Sequence, residues 1–234
     1  MITLNHLVYD IKNIAYGGIS SDDASISDRQ IAFWINQYRA VLIEQSMQKD
    51  KSTPEAFVQH LECVNLECID ADACCDGESG HKLLRSTQKI PTTIQRAGNN
   101  SITSVSSRDH SVSFSETSYF RQRTNRFNKY TGSKVRWYIK DNYLYLINGF
   151  VIDKVSVSGI FEDPTEALEF STCDGSPCFT WDSEYPITSK IAKMVTDMVL
   201  QEKIGLALKT PRDDSNDARG NSKPTTDPNA QTQR

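Results

Sequence analysis

Apolar residues recur every three or four positions near both ends of the chain, and every second position between them. Residues 4–16 put Leu4, Leu7, Val8, Ile11 and Ile14 or Ala15 on one side of a 3.6-residue repeat, with Thr3 ahead as a cap and Gly17-Gly18 as a stop. The stretch "SDRQIAFWINQYRAVLIEQSM", residues 27–47, predicts a longer helix whose apolar face holds Ile31, Trp34, Ile35, Tyr38, Val41 and Leu42. Ser27 and Gln30 supply a capping box at its start, and Ile26 is placed to staple onto Ile31. The polar linker "ISSDDAS" allows the two helices to lie antiparallel and bury both stripes. "TPEAFVQH" predicts a short third helix, with Thr53 as cap and Pro54 at its first position. A last helix lies in "ITSKIAKMVTDMVLQEKIGLAL", where Ile187, Ile191, Met194, Val195 and Met198 share a face.

In between, the period drops to two. "LECVNLECID" alternates Val64, Leu66 and Cys68 with Asn65, Glu67 and Ile69, a half-buried strand. Further strands are expected over residues 83–90, 102–106 and 112–114, the last two flanking the turn-like "SRDH". The clearest hairpin is "KVRWYIKDNYLYLI", two aromatic-rich runs joined by Asp141-Asn142, which tolerate a left-handed turn. Residues 155–161 predict one more strand, with Pro164 in "GIFEDP" as its stop.

These elements predict an α+β fold. Residues 1–60 and 186–209 are expected to form a helical bundle, with residues 61–185 as a large β-rich insertion. Residues 210–234 contain only two apolar side chains, both alanine, so they cannot offset their own ordering entropy and read as an extended C-terminal tail. Fully stretched, such a tail reaches roughly 80–90 Å.

Composition narrows the class. A chain of 234 residues with 38% hydrophobic content can bury a sizeable core. No apolar run approaches the roughly 18 residues that span a bilayer, so no membrane is expected. The opening "MITLNHLVYD" lacks the basic start and cleavage site of a signal peptide, which points to the cytosol and to reduced thiols for the six cysteines.

Candidate chemistry is sparse. Cys63, Cys68, Cys74 and Cys75 give C-x4-C-x5-C-C, and Cys173 with Cys178 gives C-x4-C, neither of which has the tighter pairing of structural zinc. They read as small buried hydrophobes, with Cys74, Cys75, Cys173 and Cys178 open as late disulfide partners outside a cell. His6, His60, His81 and His110 are scattered, and His60 reads as a helix-end cation. No nucleophile elbow, P-loop or dinucleotide fingerprint occurs. No catalytic residue, cofactor or metal is expected, and the chain does not read as an enzyme.

Charge supplies the strongest oddity. The net charge of −4 conceals a block from Arg121 to Lys140 with seven basic residues and no acidic one, so the remainder carries −11. Within it Arg121, Arg123, Arg126, Lys129, Lys134 and Arg136 interleave with Tyr119, Phe120, Phe127, Tyr130, Trp137 and Tyr138. Cations among aromatics grip phosphates and stack bases, so residues 119–140 could serve a single-stranded nucleic-acid-binding protein. The competing view puts the aromatics in the sheet core and the cations against an acidic partner. It is favoured because no nucleic-acid-binding fold signature accompanies the charges.

The layout "LVYDIKNIA…ISDRQIAFWINQYRAVLI", followed by "CVNLECID", "YLYLI", "GIFEDP" and a late "YPI" helix, resembles the head-to-tail adaptor ring proteins of crAss-like podophages. These belong with the tail-stabilisation, tail-tubular-A-like connectors of short-tailed phages. The resemblance covers residues 1 to about 208. It implies a virion structural protein of the tail or neck, assembled in the bacterial host cytoplasm, with about twelve copies in a ring. Its implied partners are copies of itself, the portal protein, other tail or ring proteins, and viral DNA passing through the channel. It implies no catalysis.

Overall fold

Thr3 opens the first helix by accepting the His6 amide at 3.1 Å, and α1 runs Leu4–Ala15. Gly17 follows with φ 63°, the left-handed geometry that ends a helix cheaply only at glycine. α2 spans Asp28–Lys49, with Ser27 Oγ accepting the Gln30 amide at 3.2 Å and Ile26 buried ahead of it. α3 runs Ser189–Met198 behind its Thr188 cap, then widens into a π-helical turn, Val199–Ile204. There the Gly205 amide reaches the Leu200 carbonyl, five residues back. The computed structural model of the protein describes residues 2–17, 26–49, 54–70, 82–96, 99–121, 134–147 and 152–205. The expected linker over 19–25, the Thr53 cap, Cys74, Cys75, His81 and the tail over 210–234 lie outside the described residues.

The strands are β1 (Gln59–Asp70), β2 (Lys82–Ser86), β3 (Gln95–Arg96), β4 (Asn99–Asn100), β5 (Ile102–Ser107), β6 (Ser115–Glu116), β7 (Arg136–Lys140), β8 (Tyr143–Ile147) and β9 (Lys154–Gly159). Among the described residues, seven of them make one sheet in the order β5-β9-β1-β2-β8-β7-β6, while β3 and β4 pair apart. β1 is shared: its first half runs antiparallel to β9 and its second half to β2. The β7–β8 hairpin turns at Asp141 and Asn142 with φ 53° and 63°, as their tolerance of left-handed backbone predicts. Among the described strands, only β6 and β7 run parallel.

α2 touches both α1 and α3. One hydrophobic core takes in Leu4 and Ile11 of α1, Ile31, Ile35 and Ile43 of α2 and Val195 of α3, together with Leu61, Val105, Leu144 and Val157 of the sheet. Each such side chain, taken fully out of water, stabilises by about 1.5–3 kcal/mol. Leu83, Tyr138 and Ile147 form a small separate cluster. The start of the chain is stitched to the segment ahead of α3: the Tyr185 amide donates to the Ile2 carbonyl at 2.8 Å, and the Asn5 amide to that of Trp181 at 3.1 Å.

Several expectations fail locally. "TPEAFVQH" makes only a single 3-10 turn, Glu55–Phe57, because Gln59 and His60 are taken by pairing with Gly159 and Ser158. His60 is therefore no helix-end cation; its Nδ1 sits 2.8 Å from Ser158 Oγ. Residues 112–114 make one bridge, Ser106 to Ser113, rather than a strand. Strand β2 stops at Ser86, whose hydroxyl turns to the Gln88 carbonyl. Of the Ile14-or-Ala15 alternative, Ala15 packs against the core while Ile14 is 61% exposed; Val41 and Met194, expected inside, are 42% and 41% exposed, and Trp34 is half-buried.

Candidate assembly interface

The cationic run is divided by the fold. Arg121 closes an exposed 3-10 turn, Tyr119–Arg121, and Lys134 stands exposed just ahead of β7. Arg136, half-buried, opens β7 opposite Ser115 and Ile147. Two of the interleaved aromatics belong to the sheet: Trp137 is buried with its indole N–H on the Phe114 carbonyl at 3.1 Å. Tyr138 is buried too, stacked on Tyr145 with centroids 5.0 Å apart. Neither ring is available to a base. Tyr119 is exposed, with the Lys140 ammonium 4.6 Å from its ring centroid. Arg123, Arg126 and Lys129 lie outside the described residues.

An acidic groove lies alongside α2. β9 leads into Phe161, which bridges to Thr93, and this carries Ile94, Glu162 and Asp163 alongside α2. Between them runs a groove of about 420 Å³, floored by Phe33, Ala40, Val41 and Ile94 and flanked by Glu44, Glu162 and Asp163, with no cation in its lining. Phe33 is 58% exposed, an unusual setting for a large aromatic. Burial, and then the negative charge of Glu44, push the Glu162 carboxyl above the usual carboxylate range. Burial also raises Glu166, against the opposing Thr92 N–H, with Asp163, Glu169 and Glu162 adding repulsion. None of these carboxylates is ion-paired among the described residues.

Beneath the groove sits a buried polar network that periodicity did not reveal. Arg39 is fully buried; its Nε donates to the Pro186 carbonyl and its Nη1 to that of Phe161, both at 2.8 Å. Its carbon Cζ lies 5.6 Å from the Tyr185 ring centroid. Asn36 Nδ2 donates to Asp163 Oδ1 at 2.7 Å, and the same oxygen caps the next turn through the Thr165 amide at 2.8 Å. Burial pulls the Arg39 guanidinium below its usual range, while nearby Tyr185 and Asp163 oppose that pull. Asp163 is thus balanced from within, which leaves Glu44 and Glu162 as the uncompensated charges of the groove. A signal did exist: Asn36 and Arg39 interrupt the apolar stripe next to Ile35, where a solvated helix would not place them.

The cysteines divide differently from expectation. Cys63 and Cys173 form a disulfide, with Cα atoms 5.2 Å apart, while Cys68 and Cys178 are free. Cys63 therefore is not a small buried thiol. It sits in a bulge of β1 between Leu61 and Val64 with φ 51°, and that kink aims its side chain off the ladder and at Cys173. A second cavity of about 550 Å³ has His60, Glu62, Cys178 and Glu184 among its walls. Among the described residues, no group of three His, Cys, Asp or Glu side chains could hold a metal ion, and no helix is long and apolar enough to cross a membrane.

The phage tail ring protein 2 family of crAss-like phages matches residues 6–227. The chain belongs to that family. It is also 27% identical over 228 residues to "Ring protein 2" of Bacteroides phage crAss001, covering 93% of this chain and 97% of that protein. A ring protein is a phage structural protein that works as an oligomer beside other virion components. Closing a ring head to tail requires two different surfaces on each subunit, one for each neighbour.

Proposed function

We propose that this ring protein is a subunit of the head-to-tail connector, with about twelve copies closed around the DNA channel between the portal protein and the rest of the tail. In this reading residues 1–60 and 186–209 make the helical body and residues 61–185 a β-rich insertion carried on it. Residues 210–234 strap a neighbouring subunit or the portal. Arg121, Arg123, Arg126, Lys129, Lys134 and Arg136 form the assembly or channel surface. The subunit assembles in the host cytoplasm, resides in the virion neck and performs no chemistry of its own.

The observation that carries this reading is the family match over residues 6–227 of a subunit that leaves Phe33 58% exposed beside an acidic groove. An averaged image of the parent particle tests it. The expected result is a ring of about twelve subunits at the portal–tail junction. A ring elsewhere in the tail, with no portal contact, would overturn the connector role. A chain ending at Lys209 should keep the melting temperature of the full chain and be absent from particles; normal incorporation would remove the strap from the proposal.

A further inference from the structure

Two features of the chain are complementary in chemistry. The groove on α2 pairs an apolar floor, Phe33, Val41 and Ile94, with the carboxylates of Glu44 and Glu162. The run over residues 119–140 pairs apolar rings, Phe127 and Tyr130, with the cations Arg123, Arg126 and Lys129. We propose that this groove receives the basic, aromatic run of a second copy of the chain, with the rings on the apolar floor and the cations between Glu44 and Glu162.

The docking presupposes the ring arrangement proposed above and identifies which surfaces of adjacent subunits meet in it. Glu44 and Glu162 repel each other across the groove. A guanidinium set between them turns that repulsion into two attractions, and it can lie on the exposed face of Phe33. DNA is disfavoured as occupant, because phosphates would meet the same carboxylates.

The ring favours a neighbour as the source of the run, because each subunit in it must offer one surface to each side. The groove lies beside the continuation of β9, next to one edge of the sheet, while Arg121 and Lys134, the described residues that bracket the run's centre, lie by β6 and β7 at the other edge. β1, β2 and β8 stand between β9 and β7 in the order of the sheet. Distinct donor and acceptor surfaces are what a head-to-tail ring needs, since each subunit then offers one to each neighbour.

The test is site-directed photo-crosslinking in assembled particles, with the full-length chain carrying p-benzoylphenylalanine in place of Val41. Val41 is 42% exposed, so the probe does not disturb the core. The expected product is a covalent dimer whose cross-linked peptide falls within residues 119–140 of the other copy. A cross-link to the portal, to DNA, to another part of a second copy or within the same chain overturns the proposal, as does no cross-link at all. Charge reversal supplies the second arm. Glu44→Lys with Glu162→Lys should lower incorporation by about tenfold or more, as should Arg123→Glu with Arg126→Glu, and combining all four should recover most of it. Unchanged incorporation in either pair, or no recovery in the combination, rejects the docking. A ring without the cross-link defeats the docking alone. The cross-linked dimer without a ring at the portal defeats the connector role alone.

Discussion

The hydroxyl of Tyr185 donates to Oδ1 of Asn36 at 2.6 Å, joining residues 149 positions apart in the chain. Asn36 is on α2 and Tyr185 in the segment that enters α3, so this bond helps fix where the last helix lies. Both groups are buried, and a buried carbonyl that loses its donor keeps its full desolvation cost. Tyr185→Phe should therefore destabilise the chain by about 1–3 kcal/mol in urea unfolding. In a double-mutant cycle with Asn36→Ala, a coupling near zero would show that the bond contributes nothing to holding the two segments together.

Arg39 tests which of two opposing effects wins in this core. Removing a buried guanidinium relieves its desolvation, and such replacements are sometimes stabilising. Here Arg39→Met would also orphan the Phe161 and Pro186 carbonyls, each worth about 1–3 kcal/mol, and leave Asp163 without its nearby cation. The orphaned groups should prevail, with a net loss of about 2–4 kcal/mol. An Arg39→Met chain as stable as the parent in chemical denaturation would mean that desolvation dominates.

The Cys63–Cys173 bridge closes a loop spanning 110 positions. A cross-link of that length is worth about 4–5 kcal/mol on chain-entropy grounds. In the proposed assembly in the host cytoplasm, where thiols are kept reduced, the bridge should be open in freshly made chains and closed in mature particles. Intact-mass analysis under non-reducing conditions reads this directly, as a loss of two hydrogens. Reductant should lower the melting temperature of the oxidised chain. Cys63→Ser and Cys173→Ser should each abolish that sensitivity, and Cys68→Ser should retain it. Retention of the sensitivity in Cys63→Ser would assign the bridge elsewhere.

Tyr38 sets an alkaline limit. Burial first, then the hydrogen bond of its hydroxyl to Glu202 Oε2 at 2.5 Å and the negative charge there, push its pKa from 10.0 up to about 12. The folded state thus holds the phenol proton more tightly than the unfolded chain does. Its contribution is fully present below about pH 10 and is lost as pH rises from there toward 12. Unfolding free energy measured between about pH 9 and 11 should fall more steeply for the parent chain than for Tyr38→Phe. Equal slopes would remove Tyr38 as a cause.

What could be read from the chain alone was whatever depends on neighbours in sequence. Thr3 and Ser27 cap helices because their hydroxyls need only an amide three residues on. Asp141-Asn142 makes the hairpin turn through its own backbone preference, and the two-residue alternation of β1, β7 and β8 marks them as strands. The α+β class and the membership of a ring family follow from that ordered pattern of helices, strands and turns. The tertiary structure alone decided the rest, because those features depend on partners far away in the chain. Gln59 is a strand residue because Gly159 pairs with it, which no local propensity encodes. Cys63 meets Cys173 only because a bulge in β1 turns it aside. Val41 lies on a groove rather than in the core because α1 and α3 cover the other side of α2, and Glu44 joins Glu162 there because β9 ends beside that helix. The positive half of the candidate interface was visible as a charge block, since like charges were consecutive. The negative half was not, since its carboxylates come from segments far apart in sequence and meet only in the folded chain.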